Sequence, residues 1–592
     1  MAADTAAESE AVAKPATVQD SAPVKDPPPA DAPAPDEETP PAEETPPAEE
    51  TGPADGTDGS ATPEGKPPAG ETPGTGDEPP GPPPPSRAGR AWAWVRTRAI
   101  PTLALMLFPF AATLTVMLIG IGNRQLWRDE NATWWASTQT PDDLRRLVQT
   151  VDVVLYPFYS FMHWWISMFG DTETALRMPS ALSMAGAAAL IALIGRRLFD
   201  ARAGLIAGLL VAAVPVISRY GQEARPYAMA MFTTVAAVWL LLRALERPTV
   251  WRWIPYTVAL IAVGCSHIVA LIGLAAHLVA AVTAIVVARG RRRWWILAGW
   301  PLSIVAAVLA ISPLIRLGQG QGGQISWIPD TTWARVQDFP GEVFMSPAVA
   351  GFFLVAGLGA ILTLAFEGRG AMLAVWALLP PIVAYYTFHE YHFFWPRYML
   401  FTVPAWVLLA GFALRRLATA ATATGVVAGT AKAVVVTIAA AAGLTFAGWG
   451  QQGAIRSDAV EDEFAFRLAA NLIAAREQPG DGIIFTGYRY AHRGFRYEWR
   501  HKPREQQPQE ILVDQPPEEA WSWEHHRCAP TVVCLADTQR IWLVSTDPSG
   551  LSPFSPLPGS QQRAVQRRYN VVLHVQFHRV WVTELVRKPP RK

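Results

Sequence analysis

Residues 253–288 read WIPYTVALIAVGCSHIVALIGLAAHLVAAVTAIVVA, 36 positions without one Asp, Glu, Lys or Arg. A membrane-spanning helix needs about 20 such residues, so this run is too long for one straight span and long enough for two. The break is expected near Ser266-His267, with Cys265 packed inside the apolar run. His267 is read as a core histidine of that hairpin.

Comparable apolar runs recur on both sides. They predict eleven spans, at about 100–121, 177–198, 203–218, 227–243, 253–269, 270–288, 295–315, 346–366, 370–388, 398–414 and 427–449. The first begins too far into the chain for a cleaved secretory signal, so it is expected to act as its own insertion signal and to stay. Arginines fill every second connection: Arg90, Arg96 and Arg98 before the first span, then Arg196, Arg197 and Arg202, then Arg243, Arg247 and Arg252. Arg289 and Arg291 to Arg293, Arg369, and Arg415-Arg416 continue the series. Short basic loops mark the cytoplasm, and with eleven spans all of these fall on one side. The expected arrangement is a multi-pass cell-membrane protein with a cytoplasmic N-terminus and an external face built from loops 122–176, 219–226, 316–345 and 389–397.

The formal net charge of zero over 592 residues conceals a division. Residues 1–86 hold 19 acidic residues and three Lys, so they sum to −16 and leave +16 on the remainder. That tail has no Phe, Trp, Tyr, Leu or Ile, and its Pro-, Glu- and Thr-rich composition cannot bury enough apolar surface to order itself. It is expected to be a disordered cytoplasmic extension, followed by a membrane core over 87–449. Residues 450–592 are polar enough for an external soluble domain. Val460, Phe464, Leu468 and Leu472 suggest a helix there, and short runs at 483–485, 532–535, 541–544, 571–577 and 580–586 suggest strands. The expectation is a small α/β domain. Cys528 and Cys534 are spaced to permit a disulfide if that domain lies outside the cell. No nucleic-acid partner is expected.

Chemically suggestive residues gather on the predicted external side. The first span leads into Trp127-Arg128-Asp129-Glu130, and the loop continues with Trp134-Trp135, Asp152, Tyr156, Tyr159, His163 and Trp164-Trp165. Its aromatic stretches suit helices lying in the membrane interface. The next external turn carries Arg219, Tyr220, Glu223, Arg225 and Tyr227, and the last carries His389-Glu390-Tyr391-His392 and Arg397-Tyr398. Any one charge beyond a span can simply mark the water boundary, and a His-Glu-His spacing in a loop leaves a divalent metal open. Asn131-Ala132-Thr133 fits a glycosylation sequon but sits against the acidic pair and the membrane. Convergence of two carboxylates and several arginines from three loops is more telling. It suits attack by a hydroxyl on a sugar held by a lipid phosphate, with a carboxylate as base and arginines on the departing phosphate.

The motifs Trp127-Arg128-Asp129-Glu130, Phe169-Gly170-Asp171 with Ala175-Leu176-Arg177-Met178-Pro179-Ser180, Gly195-Arg196-Arg197-Leu198-Phe199, Tyr220 to Tyr227, and Arg397-Tyr398 with Pro404 carry a resemblance. From about 100 to 449 the chain is similar to the membrane-embedded C-type (GT-C) glycosyltransferases of the protein-mannosyltransferase and aminoarabinose-transferase kind, especially the bacterial glycosyltransferase 39 group. The resemblance implies a polyprenyl-phosphate sugar donor and an inverting transfer to a glycan, lipid or protein acceptor on the outer face. It assigns the essential first-loop acid to Asp129, with Glu130 beside it. Arg225, Arg397 and Arg128 then become the expected phosphate-binding residues, supported by Tyr220, Glu223, Tyr398 and Asp152. Where many relatives have His-Pro-Pro-Leu-Tyr, this chain has Asp152-Val153-Val154-Leu155-Tyr156-Pro157. Two other classes remain open. A transporter would show a charged path through the bundle, and a scaffold or receptor would depend on the 450–592 domain. An enzyme core is expected to bind lipid phosphate without that domain.

Overall fold

The computed structural model describes residues 100–420, 426–457, 463–520, 522–523, 526–528, 531–535, 538–546 and 552–589. These belong to one compact unit, Pro84–Lys592. The acidic tail expected over 1–86 and Val460 lie outside the described residues.

Seven helices are long and apolar enough to cross a membrane alone. Three bent pairs reach that length together, and Val250–Ser266 is a shorter apolar helix. Each bent pair taken as one span gives up to ten among the described residues, and these with the shorter helix fall where the eleven spans are expected. The 36-residue run divides where its polar pair lies: Val250–Ser266 ends at His267, whose backbone is extended (φ −163°, ψ 107°), and the chain resumes in Ile268–Gly273 and Leu274–Val287. The chain is a multi-pass membrane protein.

Two bends shape the end of the bundle that matters for chemistry. Ala201–Ala213 and Pro215–Gly221 meet at 65°, because Pro215 has no N–H to continue the helical ladder. Trp333–Phe344 and Pro347–Thr363 meet at 93°, with the Ser346 hydroxyl accepting from Val349 N at the start of the second helix. The predicted external loop 316–345 therefore contains a helix of its own.

The basic connections gather at the opposite end. Arg196 bonds Thr102 at 2.6 Å, Arg415 bonds Asp200 at 3.1 Å and Arg292 bonds the Leu245 carbonyl at 3.0 Å. Arg369 donates to the Leu198 carbonyl. Nearby, Glu173–Leu198 and Ala201–Leu210 approach closely at two glycines. A Cβ on Gly195 would lie 2.6 Å from the Gly204 Cα, and one on Gly204 would lie 2.3 Å from the Ala192 carbonyl oxygen. Only hydrogen side chains permit that crossing.

The first external loop folds into Arg128–Ser137, Pro141–Thr150 and Tyr156–Phe169. Among the described residues the C-terminal region has seven strands: β1 Gly482–Thr486, β2 Gln509–Glu510, β3 Val513–Gln515, β4 His526–Arg527, β5 Arg540–Ser545, β6 Tyr569–Phe577 and β7 Val580–Arg587. Five form a sheet in the order β2-β1-β5-β7-β6, with β1 parallel to both β2 and β5, and β7 antiparallel to both β5 and β6.

Two local expectations in this region are corrected. The run at 532–535 belongs to a short helix, Thr531–Cys534; four apolar residues carry too little periodicity to separate the two states. The helix expected from Val460 is Phe466–Ala474, which buries Phe466, Ala469, Ala470 and Ile473 and leaves Leu468 58% exposed. Cys528 and Cys534 are joined by a disulfide, with Cα atoms 6.1 Å apart.

Candidate active site

The site begins with the helix Arg128–Ser137, whose first turn holds Asp129 and Glu130. Carboxylates suit a helix N-terminus, where unpaired N–H groups carry partial positive charge. Glu130 accepts from Trp127 N at 3.3 Å, then turns inward. Its oxygens receive Arg177 Nε at 2.8 Å and Nη2 at 2.7 Å, and Ala224 N at 2.9 Å. Arg177 also donates to the carbonyls of Ile121, Arg124 and Gln125. This buried two-point pair ties the first loop, the second span and the 222–226 turn together. Burial opposes ionisation of Glu130, but Arg177 and the Ala224 N–H outweigh it and hold the carboxyl below the usual range.

Asp129 faces the other way. Its Oδ2 lies 3.3 Å from Arg397 Nη1, and its side chain keeps 26% of its surface exposed. Burial raises its pKa, yet Arg225, Arg397, Arg128 and Arg493 together hold it below the ordinary carboxylate range. Arg397 also sits within 5.4–6.0 Å of the rings of Trp127, Tyr227, Trp327 and Tyr398, an aromatic surround that suits a guanidinium. Arg225 is 8% exposed. Its Nη1 makes three long contacts, 3.4 Å to the Thr133 hydroxyl and 3.5 Å each to the Asp129 carbonyl and the Tyr159 hydroxyl. Among the described residues, the buried Nε atoms of both Arg225 and Arg397 have no hydrogen-bond partner.

Asp152 joins this side through Tyr159, whose hydroxyl donates to Asp152 Oδ2 at 3.0 Å. Its backbone is left-handed (φ 53°), a conformation Asp tolerates, and is held by its N–H to Gln324 Oε1 at 3.1 Å. Burial pushes the Asp152 carboxyl upward, with Arg225 and Tyr159 only partly offsetting it.

The C-terminal domain closes over the same loop. Arg128 N donates to Glu463 Oε2 at 3.4 Å, and Gln125 meets Arg467 N at 3.1 Å. Arg500 lies 3.4 Å from Asp171, which also accepts from Trp134 Nε1 at 3.0 Å. Arg467 bridges Glu173 and Glu498. Burial pushes the Glu463 carboxyl up to about 7 despite Arg128.

Several expected residues therefore converge, while others differ in detail. Asp129, Arg225, Arg397 and Asp152 share one end of the bundle. Glu130 does not stand beside Asp129 as a second open carboxylate, because Arg177 occupies both its oxygens. Glu223 approaches Arg219 at 2.7 Å, not Arg225 or Arg397. Arg128 directs its guanidinium to Trp127 and Tyr490, each at 5.9 Å. Tyr220 and Tyr398 flank Tyr227, with ring centroids 5.5 and 6.3 Å away, and the His267 ring lies tilted against Tyr398 at 5.0 Å. Sequence reasoning missed the role of Arg177 as the partner of Glu130, and it missed Glu463 and Arg493 altogether. Nothing in the C-terminal sequence indicates which of its charges face the first loop. For a metal, among the described residues no three His, Cys, Asp or Glu side chains gather to hold an ion. The carboxylates of the site face arginines instead.

The many-span helical bundle followed by a small α/β domain has counterparts among proteins of known structure. Residues 149–316 match the family model described as dolichyl-phosphate-mannose-protein mannosyltransferase. Among solved structures, ArnT from Cupriavidus metallidurans in the apo state shares the fold, at 16% identity and a TM-score of 0.52, covering 84% of this chain and 98% of that one. The same enzyme bound to undecaprenyl phosphate aligns with a TM-score of 0.46 at 15% identity, over 81% of this chain and 97% of that one. Arabinofuranosyltransferase AftD from Mycobacteria aligns with a TM-score of 0.47 at 12% identity, over 84% of this chain and 40% of that one. Comparison with curated protein sequences gives no match.

Proposed function

We propose that the protein transfers a sugar from a polyprenyl-phosphate donor to an acceptor hydroxyl at the external face of the membrane, with Asp129 as general base. One observation carries this reading: a partly open carboxylate held between Arg225 and Arg397 at the end of the bundle opposite its basic loops. By the positive-inside rule, the basic loops at the other end support placing this end outside. The matched family model is named for a polyprenyl-type phosphate sugar donor.

The chemistry is a single displacement. The acceptor oxygen forms a bond to the sugar's anomeric carbon while the bond from that carbon to the phosphate oxygen breaks. The acceptor proton passes to Asp129, and the phosphate leaves with the electron pair. Attack opposite the leaving group inverts the anomeric centre. In the free site the arginines hold Asp129 ionised, which makes it a weak base. Donor phosphate engages the same arginines and weakens their hold on Asp129, so its proton affinity rises when substrate is bound. Arg225 and Arg397 stabilise the departing phosphate. Glu130 positions the helix through Arg177, and Asp152 orients Arg225 through Tyr159. The ionisable groups of the site lie at one end of the bundle, which supports an enzyme over a transporter with a charged path through the membrane.

The test is an assay of purified protein with a panel of labelled polyprenyl-phosphate sugars. Transfer or donor turnover with at least one sugar, lost in Asp129→Asn, is the expected result. Full activity in Asp129→Asn sinks the assignment.

A further inference from the structure

We propose that Trp127 belongs to this site as a binding residue: its indole N–H is a hydrogen-bond donor to the lipid phosphate, beside the guanidinium groups of Arg397 and Arg225. The proposal rests on the lipid-phosphate reading above and gives that anion a neutral, directional contact in addition to its cations.

Trp127 is the residue before the helix Arg128–Ser137, where the chain is still extended (φ −87°, ψ 170°). Ser, Thr, Asp and Asn are preferred at such a position because a short side-chain oxygen can take up a free N–H of the first turn. An indole has no acceptor and cannot do this, so helix capping does not explain a tryptophan here. Its backbone is fixed by other means. The Trp127 N–H reaches Glu130 Oε2 at 3.3 Å, and its carbonyl accepts from Asn131 N at 2.9 Å. Glu130 is itself locked by Arg177. The side chain is thus held in place with one polar atom left over. Trp127 is 7% exposed, and among the described residues its Nε1 has no hydrogen-bond partner. Buried tryptophans usually pair that N–H, because a buried donor without an acceptor has lost its bond to water for nothing.

The surrounding charge favours one kind of acceptor. The guanidinium carbons of Arg219, Arg128 and Arg397 lie 5.3, 5.9 and 6.0 Å from the centre of the Trp127 ring. An aromatic face is negative and attracts cations, whereas the ring edge is positive. An indole among three cations therefore suits an anionic oxygen at its N–H better than a neutral carbonyl or hydroxyl. Arg219 is already paired with Glu223 at 2.7 Å, and Arg397 lies 3.3 Å from Asp129. The buried Nε atoms of Arg397 and Arg225 also lack partners among the described residues. Three unused donors are thus carried by the second residue before Asp129 and by two arginines that hold Asp129 ionised. A lipid phosphate monoester has three terminal oxygens, one more than the sugar diester it leaves. A third donor matches the oxygen freed when the bond to the sugar breaks, where negative charge develops.

The experiment uses the full chain in phosphatidylcholine nanodiscs, with undecaprenyl phosphate as the probe. Trp127→Phe keeps an aromatic ring and removes the N–H. It is expected to weaken binding about tenfold, as loss of one hydrogen bond to a charged group does. Arg397→Gln serves as the control for the underlying reading and is expected to weaken binding at least as much. If Arg397→Gln weakens binding and Trp127→Phe does not, this inference falls and the lipid-phosphate site stands. If neither changes binding, both fall. A measurement on the unsubstituted protein separates a lost hydrogen bond from a packing defect. With isotopically labelled tryptophan, the Trp127 indole N–H resonance is the one missing from the spectrum of Trp127→Phe. Its proton should move downfield on addition of undecaprenyl phosphate, as a proton entering a hydrogen bond does. A resonance that stays in place at saturation overturns the proposal, whatever the affinities of the variants.

Discussion

Glu130 and Arg177 form a two-point ion pair, at 2.8 and 2.7 Å, with each side chain 2% exposed. It lies directly behind Asp129, and the contrast between the adjacent carboxylates sets the first prediction. Glu130→Gln leaves Arg177 buried without its counter-charge, which costs about 3–5 kcal/mol. The expected result is a lower melting temperature and poor yield. Asp129→Asn should melt close to wild type and lose transfer by about 100-fold or more, the usual scale for a general base. Equal loss of stability in both variants would show that Asp129 is also structural.

Arginine geometry should matter at Arg225 and Arg397 beyond their charge. Each keeps a buried Nε free for a second contact, which Lys cannot supply. Arg397→Lys and Arg225→Lys should raise the KM for the lipid-phosphate donor several-fold, with a smaller change in kcat. A donor titration of initial rates separates the two, and an unchanged KM removes these residues from donor binding.

Glu463 makes the attachment of the C-terminal domain pH-sensitive. Its carboxyl is pushed from 4.5 up to about 7 by burial, with Arg128 opposing. The folded protein therefore holds this proton more tightly than the unfolded chain. The resulting stability is fully present below pH 4.5 and is lost as pH rises through about 7. Thermal melts across that window should show wild type losing stability with rising pH more steeply than Glu463→Gln. Parallel profiles would exclude Glu463 as the source.

The disulfide closes a loop with a sequence separation of six. Constraining so short a loop stabilises by about 2 kcal/mol in the chain-entropy treatment. Replacing both Cys528 and Cys534 with Ser should lower the domain's melting temperature by several degrees without changing donor binding. Unaltered melting in oxidised and reduced samples would place the bridge outside the cooperative core.

Membrane architecture was legible in the chain because bilayer thickness and backbone hydrogen bonding restrict a span to one kind of segment. The 253–288 run, its break at His267 and the alternation of basic loops followed from length and charge alone. So did the convergence of Asp129, Arg225 and Arg397, because span count fixes which loops share a face. Periodicity was weaker in the C-terminal domain. Four residues at 532–535 fit strand and helix equally, and the buried face of Phe466–Ala474 depends on what the sheet presents to it.

Tertiary structure alone decided the work of each charge. Sequence gives Asp129 and Glu130 the same chemistry and the same address. Only packing sends one carboxylate to Arg177 in the interior and leaves the other open between Arg225 and Arg397. A side chain's role here depends on local dielectric and on its charged neighbours, and both are set by contacts between distant segments that no spacing rule contains.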